Sequence, residues 1–158
     1  MDKSLIGAAG VYYVAAELSL RGLIALPTIR NTAGIDLVVV NPAGTWNANL
    51  QVKTSKNRVS FWPVGTHYTK LSGRDNYYAF VRYLSSQKCF EVFLEMADRV
   101  IDATARADEI DRSRGNKVWT SCWHLPRQED EVKRLRLQWE RFGVNFRFPR
   151  ASENLEAA

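Results

Sequence analysis

The 158-residue chain has only two cysteines, Cys89 and Cys122, and only two histidines, His67 and His124. Two thiols cannot build the disulfide framework of a small secreted domain, and neither stands in a metal-ligand spacing with a histidine. A structural zinc site is therefore not expected, and a reduced, cytoplasmic protein is. No apolar run approaches the roughly 20 residues needed to span a bilayer. The start, Met1-Asp2-Lys3-Ser4, lacks the basic segment of a signal peptide. Repeats and linkers are missing too, so residues 1–150 read as one domain and 151–158 as a flexible tail.

Acids are also short, with 17 Asp and Glu against 22 Lys and Arg, a net charge of +5 and a pI near 9.4. The excess is regional. Residues 1–90 hold ten bases and four acids, 91–112 three bases and seven acids, and 113–150 nine bases and four acids. A basic first half suits a polyanionic partner. Hydrophobic content of 46% is ample for a core at this length.

Three segments near the start carry oxygen ligands and an amine. The stretch 4–21 is rich in Gly, Ala, Val, Tyr and Leu, with Glu17 and Arg21 as its charges, and reads as a largely buried helix. Gly10, Tyr13, Val14, Glu17 and Arg21 fall on one stripe, and the small residues permit close approach to a sheet. Glu17 is also four residues from Arg21, the spacing of a helical ion pair. Gly22 stops the helix and Leu23-Ile24-Ala25-Leu26 follows as a first strand.

The β-rich runs 35–40 and 50–54 flank Asn41-Pro42-Ala43-Gly44, a turn composition, and predict a hairpin. If Asn41 pairs with Trp46, Asp36 lies opposite Gln51 and shares its face. Lys53 joins them by the period of two. A solvated edge hairpin gives the same alternation.

Further strands are expected at 59–64, 77–84 and 89–94, the last two as a second hairpin, with helices over 96–110 and 129–142. The segments 66–74 and 112–117 read as loops, the former well placed to touch a substrate.

Glu17, the Gly34-Ile35-Asp36-Leu37 strand entry and Gln51-Val52-Lys53 resemble, in identity and order, the active-site signature of the PD-(D/E)XK nuclease superfamily. The likeness covers about the first 60 residues. Two departures stand out: Gln51 replaces the usual acid before the lysine, and no proline directly precedes Asp36. The resemblance implies an α/β, restriction-endonuclease-like core, a mixed sheet flanked by helices in which an N-terminal helix leads into a β-meander.

It further implies hydrolysis of phosphodiester bonds, of DNA in first place, with Mg²⁺ or Mn²⁺ as cofactor. Asp36, Gln51, the Val52 carbonyl and Glu17 would hold the cation, which would retain waters. Lys53 would orient a water or stabilise charge on the phosphoryl oxygens. Lys56, Arg58, Lys70 and Arg74 would neutralise flanking phosphates. Trp62, His67, Tyr68, Tyr77 and Tyr78, interleaved with these bases, could stack on nucleobases or could be core. A two-fold dimer would let two such sites cut opposite strands. The alternative is a catalytically silent fold that binds nucleic acid or a protein, because Gln51 removes a charge.

Overall fold

In the computed structural model, residues 2–29, 34–56 and 59–143 are described, apart from the Lys3 side chain. Helix α1 (Lys3–Leu20) starts where the Asp2 carboxylate accepts from Ser4 N at 2.8 Å, an N-cap that satisfies an orphan donor. It ends at Gly22, whose φ of 83° no β-substituted residue adopts cheaply; Gly22 N and Leu23 N donate back to Ser19 O and Leu18 O. Among its described side chains, only the stripe Ile6, Gly10, Val14 and Leu18 is buried. The expectation of a largely buried helix is thus corrected: Tyr12 is 67% and Leu20 83% exposed, because α1 lies against one sheet face and its outer side is bare. A Cβ at Gly10 would collide with the Thr54 side chain, so the small residue sets how closely helix and sheet approach.

The main sheet contains β1 (Ile24–Pro27), β2 (Leu37–Val40), β3 (Asn47–Lys56), β5 (Asn76–Leu84) and β6 (Cys89–Met96), in the order β1-β2-β3-β5-β6. The first three form an antiparallel meander, β5 and β6 an antiparallel hairpin, and β3 runs parallel to β5. The architecture is α/β, a mixed five-stranded sheet flanked by helices, as the sequence leads one to expect. One element departs. Strand β4 (Phe61–Pro63) leaves this sheet and pairs with β7 (Cys122–His124), a strand the sequence reading did not assign. The physical reason is topological: a parallel pair needs a crossover, and residues between β3 and β5 must leave the sheet plane to make it.

The two sheet faces bury different cores. On one, α1 contributes Val14 and Leu18 against Leu37, Val39, Leu50, Val52, Val81 and Leu94. On the other, helix α2 (Ala97–Ser113) and the β4–β7 ladder cover Tyr78, Phe80 and Phe93 with Val100, Trp62 and Trp123. The Trp62 indole donates to Val81 O at 3.1 Å, which removes its buried polar group from the account. Helix α3 (Glu129–Arg141) packs along β6; Arg134 forms an ion pair with the buried Glu95 there, and Trp139 reaches the first core. No helix of the described residues is long and apolar enough to cross a membrane. The expected tail at 151–158 lies outside the described residues.

Candidate active site

The hairpin of β2 and β3 has the register expected from its turn. Leu37 pairs with Leu50 and Val40 with Asn47, and Asn41 N donates to Trp46 O at 3.1 Å. The pleat then divides β3: Ala48, Leu50 and Val52 are buried in the first core, while Asn49, Gln51 and Lys53 turn to the other face. Asp36 sits at the open end of the ladder, held by Asp36 N to Leu50 O at 2.9 Å and by Thr28 N to Asp36 O at 3.0 Å. Its carboxylate Oδ2 accepts from Val52 N at 2.7 Å. Strand β2 ends before it can offer Val52 a carbonyl, and the side chain supplies the acceptor instead. Asp36 is thereby locked across the Gln51-Val52-Lys53 segment.

Electrostatics couple the same residues. Burial pushes the Asp36 carboxyl above its ordinary range, opposed by the Val52 hydrogen bond and the Lys53 charge. Burial pushes the Lys53 ammonium down, opposed by Asp36. Each is the charge that the other feels, yet both remain under-solvated. A half-buried acid and amine that feel each other's charge without closing a salt bridge are more typical of a functional site than of a stabilising ion pair.

Beside Gln51 opens a cleft of about 190 Å³, lined by Gly34, Gln51, Val64, His67, Lys70 and Leu71. Its far wall is the segment expected to be a substrate loop, which contains a 3₁₀ turn at Tyr68–Leu71. Leu71 is buried and anchors the turn, and the Asp98 carboxylate at the start of α2 accepts from Ser72 Oγ at 2.8 Å and Gly73 N at 3.1 Å. His67 and Lys70 are thus displayed on a fastened wall across the cleft from Gln51, and Asp36 and Lys53 stand outside its lining.

Other expected site residues lie elsewhere. Glu17 is not brought to Asp36, which corrects the expectation that it joins the metal ligands. It pairs with Arg21 at 3.5 Å on α1, which packs on the opposite sheet face, and Arg21 in turn lies over the Trp139 ring at 4.3 Å. Lys56 is exposed at the end of β3, and Arg74 on the turn before β5, outside the cleft. Arg58 lies outside the described residues. Trp62 and Tyr78 are buried and cannot stack on a base; Tyr77 meets Phe142 edge to face. Core packing claims these rings: Trp62 and Tyr78 point into the second core, and Tyr77, next along β5, packs against the first. His67 and Tyr68 stay accessible, whereas the exposed aromatic residues Phe61 and Trp119 escaped the sequence reading. A tryptophan in a polar, basic stretch was their available signal.

Among the described residues, no three His, Cys, Asp or Glu side chains group to hold a metal ion. The oxygen donors at hand are one carboxylate and one amide, Asp36 and Gln51.

No family model matches the chain, and no curated protein does. Solved structures do. A bacterial homing endonuclease, I-Ssp6803I, matches with a TM-score of 0.53 and 16% identity, over 99% of this chain and 99% of that one. The chain has a nuclease-like fold. At that identity the likeness is one of fold alone.

Proposed function

We propose that the chain is a metal-dependent nuclease of the PD-(D/E)XK type that hydrolyses phosphodiester bonds of DNA. What supports this reading is the Asp36 carboxylate bound to Val52 N, between Gln51 and Lys53 on β3, together with the cleft that Gln51 shares with His67 and Lys70. The structural neighbour, a homing endonuclease, supports the same substrate class.

The residues suit a hard divalent cation, Mg²⁺ or Mn²⁺. Asp36 is a carboxylate that burial leaves under-solvated and Lys53 only partly compensates, and Gln51 adds a neutral oxygen on the same face. With so few protein donors, such an ion retains several waters and binds weakly. Once bound, it would polarise the phosphate and acidify a water. The chain's own residues do the rest. Lys53, with its proton held less tightly than usual, orients the attacking water or donates to a phosphoryl oxygen; Lys70 and His67 grip the strand from the opposite wall. Glu17 takes no part.

A second reading is favoured by one specific observation, the remoteness of Glu17 combined with the uncharged Gln51, which leaves a single carboxylate at the site. On that reading the fold binds nucleic acid without cutting it. A nuclease assay on plasmid and single-stranded DNA with Mg²⁺, Mn²⁺ or EDTA, run beside Lys53→Ala purified identically, separates the two. Metal-dependent cleavage absent from the variant is expected. Equal cleavage, or none with retained binding, selects the silent fold.

A further inference from the structure

A second hollow, of about 350 Å³, lies between the C-terminal half of α2 and the β4–β7 ladder. Phe61, Trp119 and His124 line it, together with Lys117 and the carboxylates of Asp108 and Asp111. Trp119 is 83% exposed and Phe61 47%, in a chain whose other tryptophans, where their exposure is described, are largely covered. Two of the rings are already arranged: Phe61 and His124 lie 6.0 Å apart at 36°, and Lys117 Nζ stands 5.7 Å from the Trp119 ring centre. Nothing in the cleft chemistry uses these groups.

Three features narrow the ligand. Residues 113–127, on the side of the hollow away from the acidic α2, carry Arg114, Lys117 and Arg127 with no Asp or Glu, and that side attracts a polyanion; Arg112 is paired with Asp108 at 4.0 Å. Of the two carboxylates that line it, Asp108 is buried and already accepts from Ser121 Oγ at 2.6 Å, whereas Asp111 is exposed and can accept from the exocyclic amine of a base. Its rings offer flat faces of the kind on which bases stack without regard to sequence. The hollow and the cleft are neighbours along the chain, since Phe61 lines the first and Val64, three residues on, lines the second.

We infer that this hollow is a nucleobase subsite: one unpaired base of a bound strand stacks on Trp119 and Phe61 while Lys117 and its neighbours hold the adjoining phosphates. The inference rests on the nucleic-acid reading of the cleft. It adds a substrate preference, for strands with unpaired nucleotides near the cut, and makes Trp119 a specificity residue.

The test is fluorescence anisotropy of a labelled single-stranded oligonucleotide and of the matching duplex, in EDTA so that no cleavage intervenes, with the full chain and its Trp119→Ala and Trp119→Tyr variants. Trp119 is so exposed that neither change disturbs packing. Base–aromatic stacking is large enough that Trp119→Ala should weaken single-strand binding about tenfold. Duplex binding should change less than twofold, and Trp119→Tyr should restore most of the loss. Unchanged single-strand affinity in Trp119→Ala overturns the subsite, and so does an equal loss on single strand and duplex. Wild-type binding without a Trp119 effect sinks the subsite alone, while failure of the wild-type chain to bind either ligand sinks the nucleic-acid reading with it.

Discussion

Replacing Asp36 by asparagine and by alanine separates what its carboxylate does for the fold from what it does for the site. The Val52 N–H, in the middle of a buried strand, has Asp36 Oδ2 as its acceptor at 2.7 Å. Alanine leaves that donor without a partner, which costs about 1–3 kcal/mol, part of which is returned because the under-solvated carboxylate is gone. A net loss of about 1–2 kcal/mol in a chain of 158 residues lowers Tm by about 2–8 °C. Asparagine keeps an acceptor oxygen in the same place and gives up only the charge. Burial raises the Asp36 pKa, so its ionisation opposes folding, a cost that sets in as pH climbs above 3.8 and through the raised value. Asp36→Asn should therefore hold Tm to within about 2 °C at neutral pH in metal-free buffer. Cleavage is another matter: both variants lose the one charged ligand and should fall at least about 100-fold in rate. Calorimetry and a plasmid-nicking assay on the three proteins decide it. Wild-type cleavage by Asp36→Asn would refute the metal-ligand role, and an alanine variant as stable as the asparagine one would refute the account of Val52.

Three further outcomes follow from the same geometry. Lys53→Met should abolish cleavage while raising Tm by about 2–4 °C, since removing a desolvated ammonium relieves the fold. Burial lowers the Lys53 pKa, so the unfolded chain binds that proton more tightly; the gain should be full at pH 7 and shrink as pH approaches 10.5, which melting curves across pH would show. Glu17→Gln should leave cleavage within about twofold of wild type, because Glu17 faces Arg21 and not Asp36; a loss comparable to that of Asp36→Asn in the same assay would mean the two carboxylates do meet. Gly10→Ala should destabilise by about 1–3 kcal/mol through the clash with Thr54, and Thr54→Ala should recover part of that in denaturant titrations of the double variant.

The hairpin was legible because turn composition and period-two alternation both fix register, and its Asn41–Trp46 closure places Asp36, Gln51 and Lys53 as that register requires. Glu17 was not. A helical stripe identifies which residues share a side, yet it does not say on which face of the sheet the helix will lie. Here Val14 and Leu18 draw α1 to the face of Leu50 and Val52, opposite Gln51 and Lys53. Strand β4 was read as a continuing sheet strand because Val59-Ser60-Phe61-Trp62 has strand composition. Its partner Cys122-Trp123-His124 is three residues long, too short for periodicity to show, and about 60 positions away. The aromatic residues misled for a related reason, since tyrosine and tryptophan serve core and ligand equally well and only burial sorts Tyr78 from Trp119.

The position of the cleft follows from the one parallel pairing in the sheet. Antiparallel neighbours need only a tight turn, as between β2 and β3, but β5 must start again at the same end of the sheet as β3, and the intervening chain has to travel back across a face. It crosses on the side opposite α1, because α1 already occupies the other. Residues 59–75 therefore lie over the face where Gln51 and Lys53 point, and their route brings His67 and Lys70 to Gln51. Leu71 and the Asp98 contacts then fasten that chain at its far end, which keeps the wall standing with no secondary structure beyond a short strand and a single 3₁₀ turn. The wall's rigidity therefore depends on Asp98. Asp98→Ala, which removes the acceptor for Ser72 Oγ and Gly73 N, should speed amide exchange at residues 67–73 while exchange in β3 stays as it was. It should also weaken DNA binding to the Lys70 wall without altering the Asp36–Val52 contact. Unchanged exchange at 67–73 would show that the Leu71 anchor alone holds the wall.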